Sequence, residues 1–442
     1  MEDEVAQLRR QLAEEQRRLE EEQRRREEAE RKLSGTTFLD YLSECHKIFT
    51  TIQVERNELR RTTGRVTSVD GKFYPRHLQP WANFAHLHDK KFADLKEEFQ
   101  QQNLFPSIAD LGRVTRQTTG RTMTGEDDLR YFEYHAIQDC VEDLMLPYFR
   151  RYDGGSSDQP TSAVPKKVSF YNYPLGVVAN ESDEVSNSDS PGYGDPDKDR
   201  KASANQQLLI RSNRPAYLGA LAVAKRDMDE AEKRVRMTES EREQSGPPTK
   251  KSSPERTKLH PDQWCFRTNQ NGAVIPLFTV EYKAAHKLET TLLQSILREP
   301  DSAASLFADA LQDIHSMTRA LKTVKEGGGP SVNGKVDTAK VLAQAFHYMV
   351  VYGLQYSYVT TGEALIFLHL DPHTPSTLYY HLSTPKTDIV DDTSMARDEL
   401  KKSAVALVAT LILLSLEGDY MNQEWKKQAS KVLKTCQNPT RT

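Results

Sequence analysis

The chain has 442 residues, 37% of them hydrophobic and 28% charged, with a formal net charge of −4 at pH 7. That length admits roughly two or three domains, but so polar a balance leaves a good fraction of the chain outside any core. The near-zero charge excludes a global pull on nucleic acid, so any such site has to be a local basic patch.

Residues 1 to 34 are almost all Glu, Arg, Gln, Ala and Leu, a strong helix composition. Val5, Leu8, Leu12 and Leu19 fit heptad core positions, whereas Glu15, Glu22 and Arg26 fall where a core needs apolar residues. A solvated helix held by i,i+4 ion pairs is expected, with a weak coiled coil that recruits a partner or self-associates through residues 1 to 33 as the alternative. Residues 35 to 150 read as a helical part of the domain. Thr36 to Val54 repeats Phe38, Leu42, Ile48 and Phe49 at helical spacing, and Phe92 to Gln102 and a stretch opening at Phe105 add shorter helices. Asp127 to Phe149 is a stronger one, with Leu129, Phe132, Ile137, Val141 and Leu144 on its apolar face. His86, His88 and Asp89 have no partner cluster in the sequence, so they read as surface or packing residues and not as metal ligands.

Residues 151 to 256 hold a first strand, Lys167 to Tyr173, followed by a Ser-, Asp- and Gly-rich insertion and a basic linker. Residues 257 to 420 carry the core. Two apolar runs, around Trp264 and from Val274 to Lys283, flank the turn signal Asn269-Gln270-Asn271-Gly272 and predict a β-hairpin. Helices are expected over Ala284 to Arg298, Asp301 to Val324 and Lys335 to Gln355. Strands follow over Tyr356 to Thr360, Ala364 to Leu370 and Ser376 to Ser383, then an apolar helix over Met395 to Gly418. Residues 421 to 442 read as a polar tail. The pattern is that of an α/β (α+β) fold, a central mixed sheet flanked by helices, with a charged N-terminal helix.

Cys45, Cys140, Cys265 and Cys436 lie far apart, which argues against a disulfide framework and suits a reducing compartment. The N-terminus is charged from residue 2, unlike a secretory signal, and the apolar run Ala404 to Leu416 is too short to span a bilayer. An intracellular protein without a membrane partner is expected, cytoplasmic or, given Lys250, Lys251 and Arg256, nuclear.

Chemistry is concentrated in the hairpin. Glu281 and Lys283 point to one face of their strand, and pairing across the turn brings Asp262 to the same end. Two carboxylates there suit a hard cation such as Mg²⁺, and a nearby ammonium suits a phosphate or its attacking water. Pro261-Asp262 followed by Glu281-x-Lys283 resembles the signature of the PD-(D/E)xK nuclease superfamily. Gln344 and Tyr348, one helical turn apart, are similar to the Gln-x-x-x-Tyr element of its recombination-exonuclease branch. The stretches EYKAAHKL, YVTTGEALIFLHL and YPRHLQPW also resemble a large set of fungal proteins, some with a kinase-like domain farther along. The resemblance implies a restriction-endonuclease-like core with Asp262 and Glu281 as metal ligands, Mg²⁺ as cofactor and Asp262, Glu281 and Lys283 as catalytic residues. It also implies that Gln344 and Tyr348 hold a nucleic-acid strand, and that a helix ahead of the sheet adds an acid, Glu133 or Glu142, with Glu133 favoured. The expected function is metal-dependent phosphodiester hydrolysis. The alternative is an inactive binding or scaffold module of a kinase-associated family, in which Glu281 and Lys283 are a structural ion pair. Kinase activity is not expected, because the chain has no Gly-rich phosphate loop with its strand lysine and no His-Arg-Asp loop, and serine or cysteine hydrolysis is unsupported, because it has no Gly-x-Ser-x-Gly elbow.

Overall fold

A computed structural model describes residues 2–62, 69–100, 102–150, 165–173, 260–320, 334–389, 396–418 and 420–436. Its elements run α1 (Glu2–Leu33), α2 (Phe38–Thr50), β1 (Gln53–Val54), β2 (Phe73–Tyr74), β3 (His77–Pro80), α3 (Phe84–Phe99), α4 (Ile108–Thr118), β4 (Thr122–Met123), α5 (Glu126–Glu133), α6 (Asp139–Arg150) and β5 (Pro165–Tyr171). They continue β6 (Gln263–Asn269), β7 (Val274–Tyr282), α7 (Thr290–Leu297), α8 (Pro300–Ala320), α9 (Gly334–Tyr352), β8 (Tyr356–Thr360), β9 (Leu365–His369), β10 (Thr377–Ser383), α10 (Ala404–Glu417), α11 (Gln423–Val432) and β11 (Lys434–Thr435). The described elements belong to one unit, 1–180 with 260–442. The insertion and linker expected between β5 and β6 lie outside the described residues.

The hairpin is the middle of a seven-stranded mixed sheet of order β3-β10-β9-β8-β7-β6-β5. Gly272 takes a φ of +83°, which a Cβ would oppose, and so lets β6 turn back into β7. The β7–β8 and β10–β3 pairs are parallel, and the other pairs are antiparallel. The parallel β7–β8 step needs a crossover, which α7, α8 and α9 supply on one face of the sheet. On the other face lie α2, α3, α5, α6 and α10, packed through Phe38, Phe49, Leu144, Leu411 and Ile412. The central strands are therefore buried on both sides. Tyr358 faces the α10 layer and its neighbour Val359 faces the α9 layer, and the strand reads as a continuous apolar run.

Side-chain caps set several helix starts. Thr37, Ser107, Ser403 and Asn422 each accept a backbone N–H from three residues on. Helices α5 and α6 continue through a π-helical turn at Tyr134–Gln138, so the rod expected from Asp127 forms with its backbone register widened. Helix α10 starts at Ala404 under its Ser403 cap, behind a separate short helical turn, and not at Met395, and two other starts move as well. Phe84 opens α3 eight residues ahead of Phe92, where the helix is expected, and α7 begins at Thr290 and not at Ala284. In the second case the Ala284 carbonyl accepts from both Lys287 and Leu288 N–H, a turn that delays the helix. The stretch read as a polar tail also folds. Asn422 caps α11, and β11 pairs antiparallel with β2. All four cysteines are free, and no helix among the described residues is long and apolar enough to cross a membrane.

Candidate functional site

Alternation along β7 sends Phe278, Val280 and Tyr282 into the α10 layer and turns Thr279, Glu281 and the following Lys283 towards α9. Gln263 pairs with Val280, so Asp262, just before β6, comes beside the end of β7. Its Oδ2 accepts the Tyr282 N–H at 2.9 Å, and Arg130 Nη2 stands 3.6 Å from Oδ1. Because N–H and C=O of one residue leave an antiparallel strand on the same edge, the Tyr282 carbonyl faces that side too. Lys283 Nζ donates to Glu281 Oε1 at 2.8 Å, and Glu281 Oε2 is buried with no hydrogen-bond partner. The structure therefore brings Asp262, Glu281 and Lys283 together.

Glu281 and Lys283 are nearly sealed from water, whereas the Asp262 side chain keeps 25% of its exposure. Burial pushes the Glu281 carboxyl up to about 8; Lys283 opposes that rise and Asp262 reinforces it. Burial also works against the Lys283 charge, but Glu281, Asp262 and Glu126 outweigh it and hold its pKa above the ordinary value. An orphaned carboxylate oxygen beside a second carboxylate and a backbone carbonyl is a donor set that fits a hard divalent cation.

Gln344 and Tyr348 project from α9 onto this group. Gln344 Nε2 donates to the Tyr348 hydroxyl at 3.3 Å. Burial, with Glu281 second, raises the phenol pKa, so Tyr348 stays a neutral hydroxyl. Two cations that sequence reasoning missed complete the group. One is Arg130 of α5, against Asp262. The other is Lys72, 5.3 Å above the Tyr348 ring, whose pKa burial lowers to about 8. No local signal pointed to either, since both arrive from distant parts of the chain and neither stands in a motif.

Glu133 is not brought to the trio. It lies on the other face of the sheet, where Thr360 Oγ1 donates to its Oε1 at 2.5 Å and burial raises it to about 8. Glu142 accepts the Phe170 N–H at 3.0 Å at the edge of the sheet. His88 packs inside, bonded to Thr410 and to the Lys401 carbonyl, and the described residues hold no cluster of three or more His, Cys, Asp and Glu side chains placed to share a metal ion. A shallow groove lined by Arg267, Pro276, Gln355 and Tyr356 sits at the opposite ends of β7 and β8, away from the carboxylates.

Against known proteins, the family described as Spore killer 2 N-terminal domain matches residues 37–152 and 212–438. The meiotic driver SPOK2 of Podospora anserina is 25% identical over 403 residues, covering 90% of this chain and 45% of that protein. The chain thus spans less than half the length of this fungal relative. No solved structure matches the chain significantly.

Proposed function

This chain belongs to the Spore killer 2 N-terminal domain family, and on that premise we propose that it is a PD-(D/E)xK-like, Mg²⁺-dependent phosphodiester hydrolase that cleaves nucleic acid as part of a meiotic driver. The observation that carries this reading is the convergence of Asp262, Glu281 and Lys283 at the hairpin's open end, with one Glu281 oxygen buried and unpartnered. Asp262, Glu281 and the Tyr282 carbonyl would hold the cation. When bound, such a cation supplies Lewis-acid activation of water and phosphate. The Tyr282 N–H and Arg130 keep the Asp262 carboxylate beside the end of β7. Lys283, protonated because of its three acidic neighbours, donates to the phosphate as negative charge builds on it. Gln344 and Tyr348 offer neutral polar contacts to the strand being cut.

Calorimetric titration of Mg²⁺ into wild type, Asp262→Ala and Glu281→Ala should show binding only in the wild type. Cleavage of labelled DNA and RNA oligonucleotides should fall about a hundredfold or more in Lys283→Ala, the scale for losing one preorganised charge donor. Equal residual cutting by all variants would trace the activity to contamination. The near-complete burial of the Glu281–Lys283 pair favours a second reading, a non-cleaving binding module. Tight oligonucleotide binding with neither metal uptake nor cleavage would select it.

A further inference from the structure

Lys72 is 3% exposed, yet its Nζ has no hydrogen-bond partner and makes no ion pair among the described residues. Its surroundings are the Tyr348 ring at 5.3 Å and the charges of Glu281, Lys283 and Asp262. Its backbone is clamped on both sides. Gly71 N–H donates to the Cys436 carbonyl at 2.7 Å, Cys436 N–H donates to the Lys72 carbonyl at 2.8 Å, and Phe73 N–H donates to His347 Nδ1 at 3.2 Å. The β2–β11 pair continues that clamp. A buried ammonium with no acceptor destabilises a fold, so a rigid segment that aims one at a group of carboxylates calls for a use beyond packing.

We propose that Lys72 is a substrate-binding residue whose ammonium takes a non-bridging oxygen of the scissile phosphodiester, across the site from Lys283. The inference rests on the hydrolase reading and names the group that would grip its substrate. The charge balance supports it. Two carboxylates, Asp262 and Glu281, face three cations, Arg130, Lys72 and Lys283, so the group carries an excess of positive charge even before a metal binds. A divalent cation held by the carboxylates leaves both ammoniums without a counter-charge, and an anionic phosphodiester supplies one. Tyr348, under the Lys72 ammonium, and Gln344, which donates to its hydroxyl, add neutral polar groups beside it.

The test uses the full chain with Ca²⁺ in place of Mg²⁺, so that a fluorescein-labelled oligonucleotide, as DNA and as RNA, is bound without being cut. Lys72→Met should weaken binding by about tenfold or more, the scale of one charge-assisted hydrogen bond. The slope of log K against log salt should shrink by about one, as for a lost phosphate contact. Mg²⁺ affinity by calorimetry should not fall, and the melting temperature should not drop, because methionine removes an unpartnered charge while keeping the shape. Lys72→Arg should retain most of the binding. If the wild type binds metal and oligonucleotide and Lys72→Met matches it in affinity and salt slope, the assignment of Lys72 fails while the hydrolase reading stands. A lower melting temperature with unchanged binding per folded molecule marks a structural lysine and also overturns it. A wild type that binds neither metal nor oligonucleotide removes both readings.

Discussion

Glu133 and Glu281 are both sealed from water, on opposite faces of the sheet, and burial raises each carboxyl to about 8. For Glu133 the sign of the linkage is simple. Below its ordinary value of 4.5 the residue is neutral whether folded or unfolded, so it contributes no pH dependence there. Between 4.5 and about 8 the unfolded chain is ionised and the folded one is not, so stability falls as pH rises; above that window the penalty is constant. Glu133→Gln keeps a partner for the Thr360 hydroxyl and removes the ionisation. It should stabilise the fold by on the order of a few kcal/mol at pH 8 and by little at pH 4.5, an upper bound from the size of the shift. Urea denaturation at the two pH values measures it, and a variant no more stable than wild type at pH 8 would show that Glu133 is ionised and satisfied in the fold.

Helix α9 carries Gln344 and Tyr348, and its end is held by a specific motif. Leu354 N–H donates to the Met349 carbonyl at 2.8 Å and Gly353 N–H to that of Val350 at 3.3 Å, with Gly353 at a φ of +70°. That is a Schellman cap. A Cβ on Gly353 would stand 2.3 Å from the Met421 carbonyl oxygen, whose residue donates its own N–H back to Gly353. Gly353→Ala should therefore cost more than the roughly 1–2 kcal/mol of the left-handed conformation alone. A melting temperature equal to wild type would contradict this. Apolar periodicity revealed that α9 exists but not how deeply it lies. Asp337, Thr338 and Gln344 are buried along with its apolar stripe, because α8 and the sheet enclose the helix on several sides. The misplaced start of α7 has a similar origin. Residues from Ala284 have good helix propensity, but the carbonyl of Ala284 and the Lys287–Glu126 ion pair at 3.0 Å hold them in a turn beside the site.

At the scale of the whole molecule, the two ends of the chain differ. Helix α1 exposes Leu12 and Leu19 by 62% and 60%, and its ion pairs at Arg18–Glu14, Arg25–Glu21, Arg26–Glu22 and Lys32–Glu28 are all internal. Deleting residues 1 to 33 should leave the melting temperature of the remainder unchanged, as differential scanning fluorimetry would record; a large drop would mean that α1 supports the core. Deleting 421 to 442 should do the opposite. It removes Met421 from the cap of α9, Ala429 and Leu433 from the α9 layer, and β11 from β2, the segment that clamps Lys72. Lower stability and weaker oligonucleotide binding should appear together, and binding at wild-type strength would separate the C-terminal segment from the site.

The hairpin, its turn at Asn269 to Gly272, and the common end of Asp262, Glu281 and Lys283 were legible in the residue order alone. All of these follow from the two-residue period of a strand and the antiparallel pairing of near neighbours. Also legible were the order of strands and helices after the hairpin and the apolar character of α10. The position of Glu133 on the far face, the arrival of Arg130 and Lys72 beside the carboxylates, and the folding of the last residues onto β2 came from packing over long range. Local periodicity carries information only over a few turns or strand residues. The partners of a two-residue strand or a lone cation are chosen instead by long-range packing, which brings together segments hundreds of residues apart.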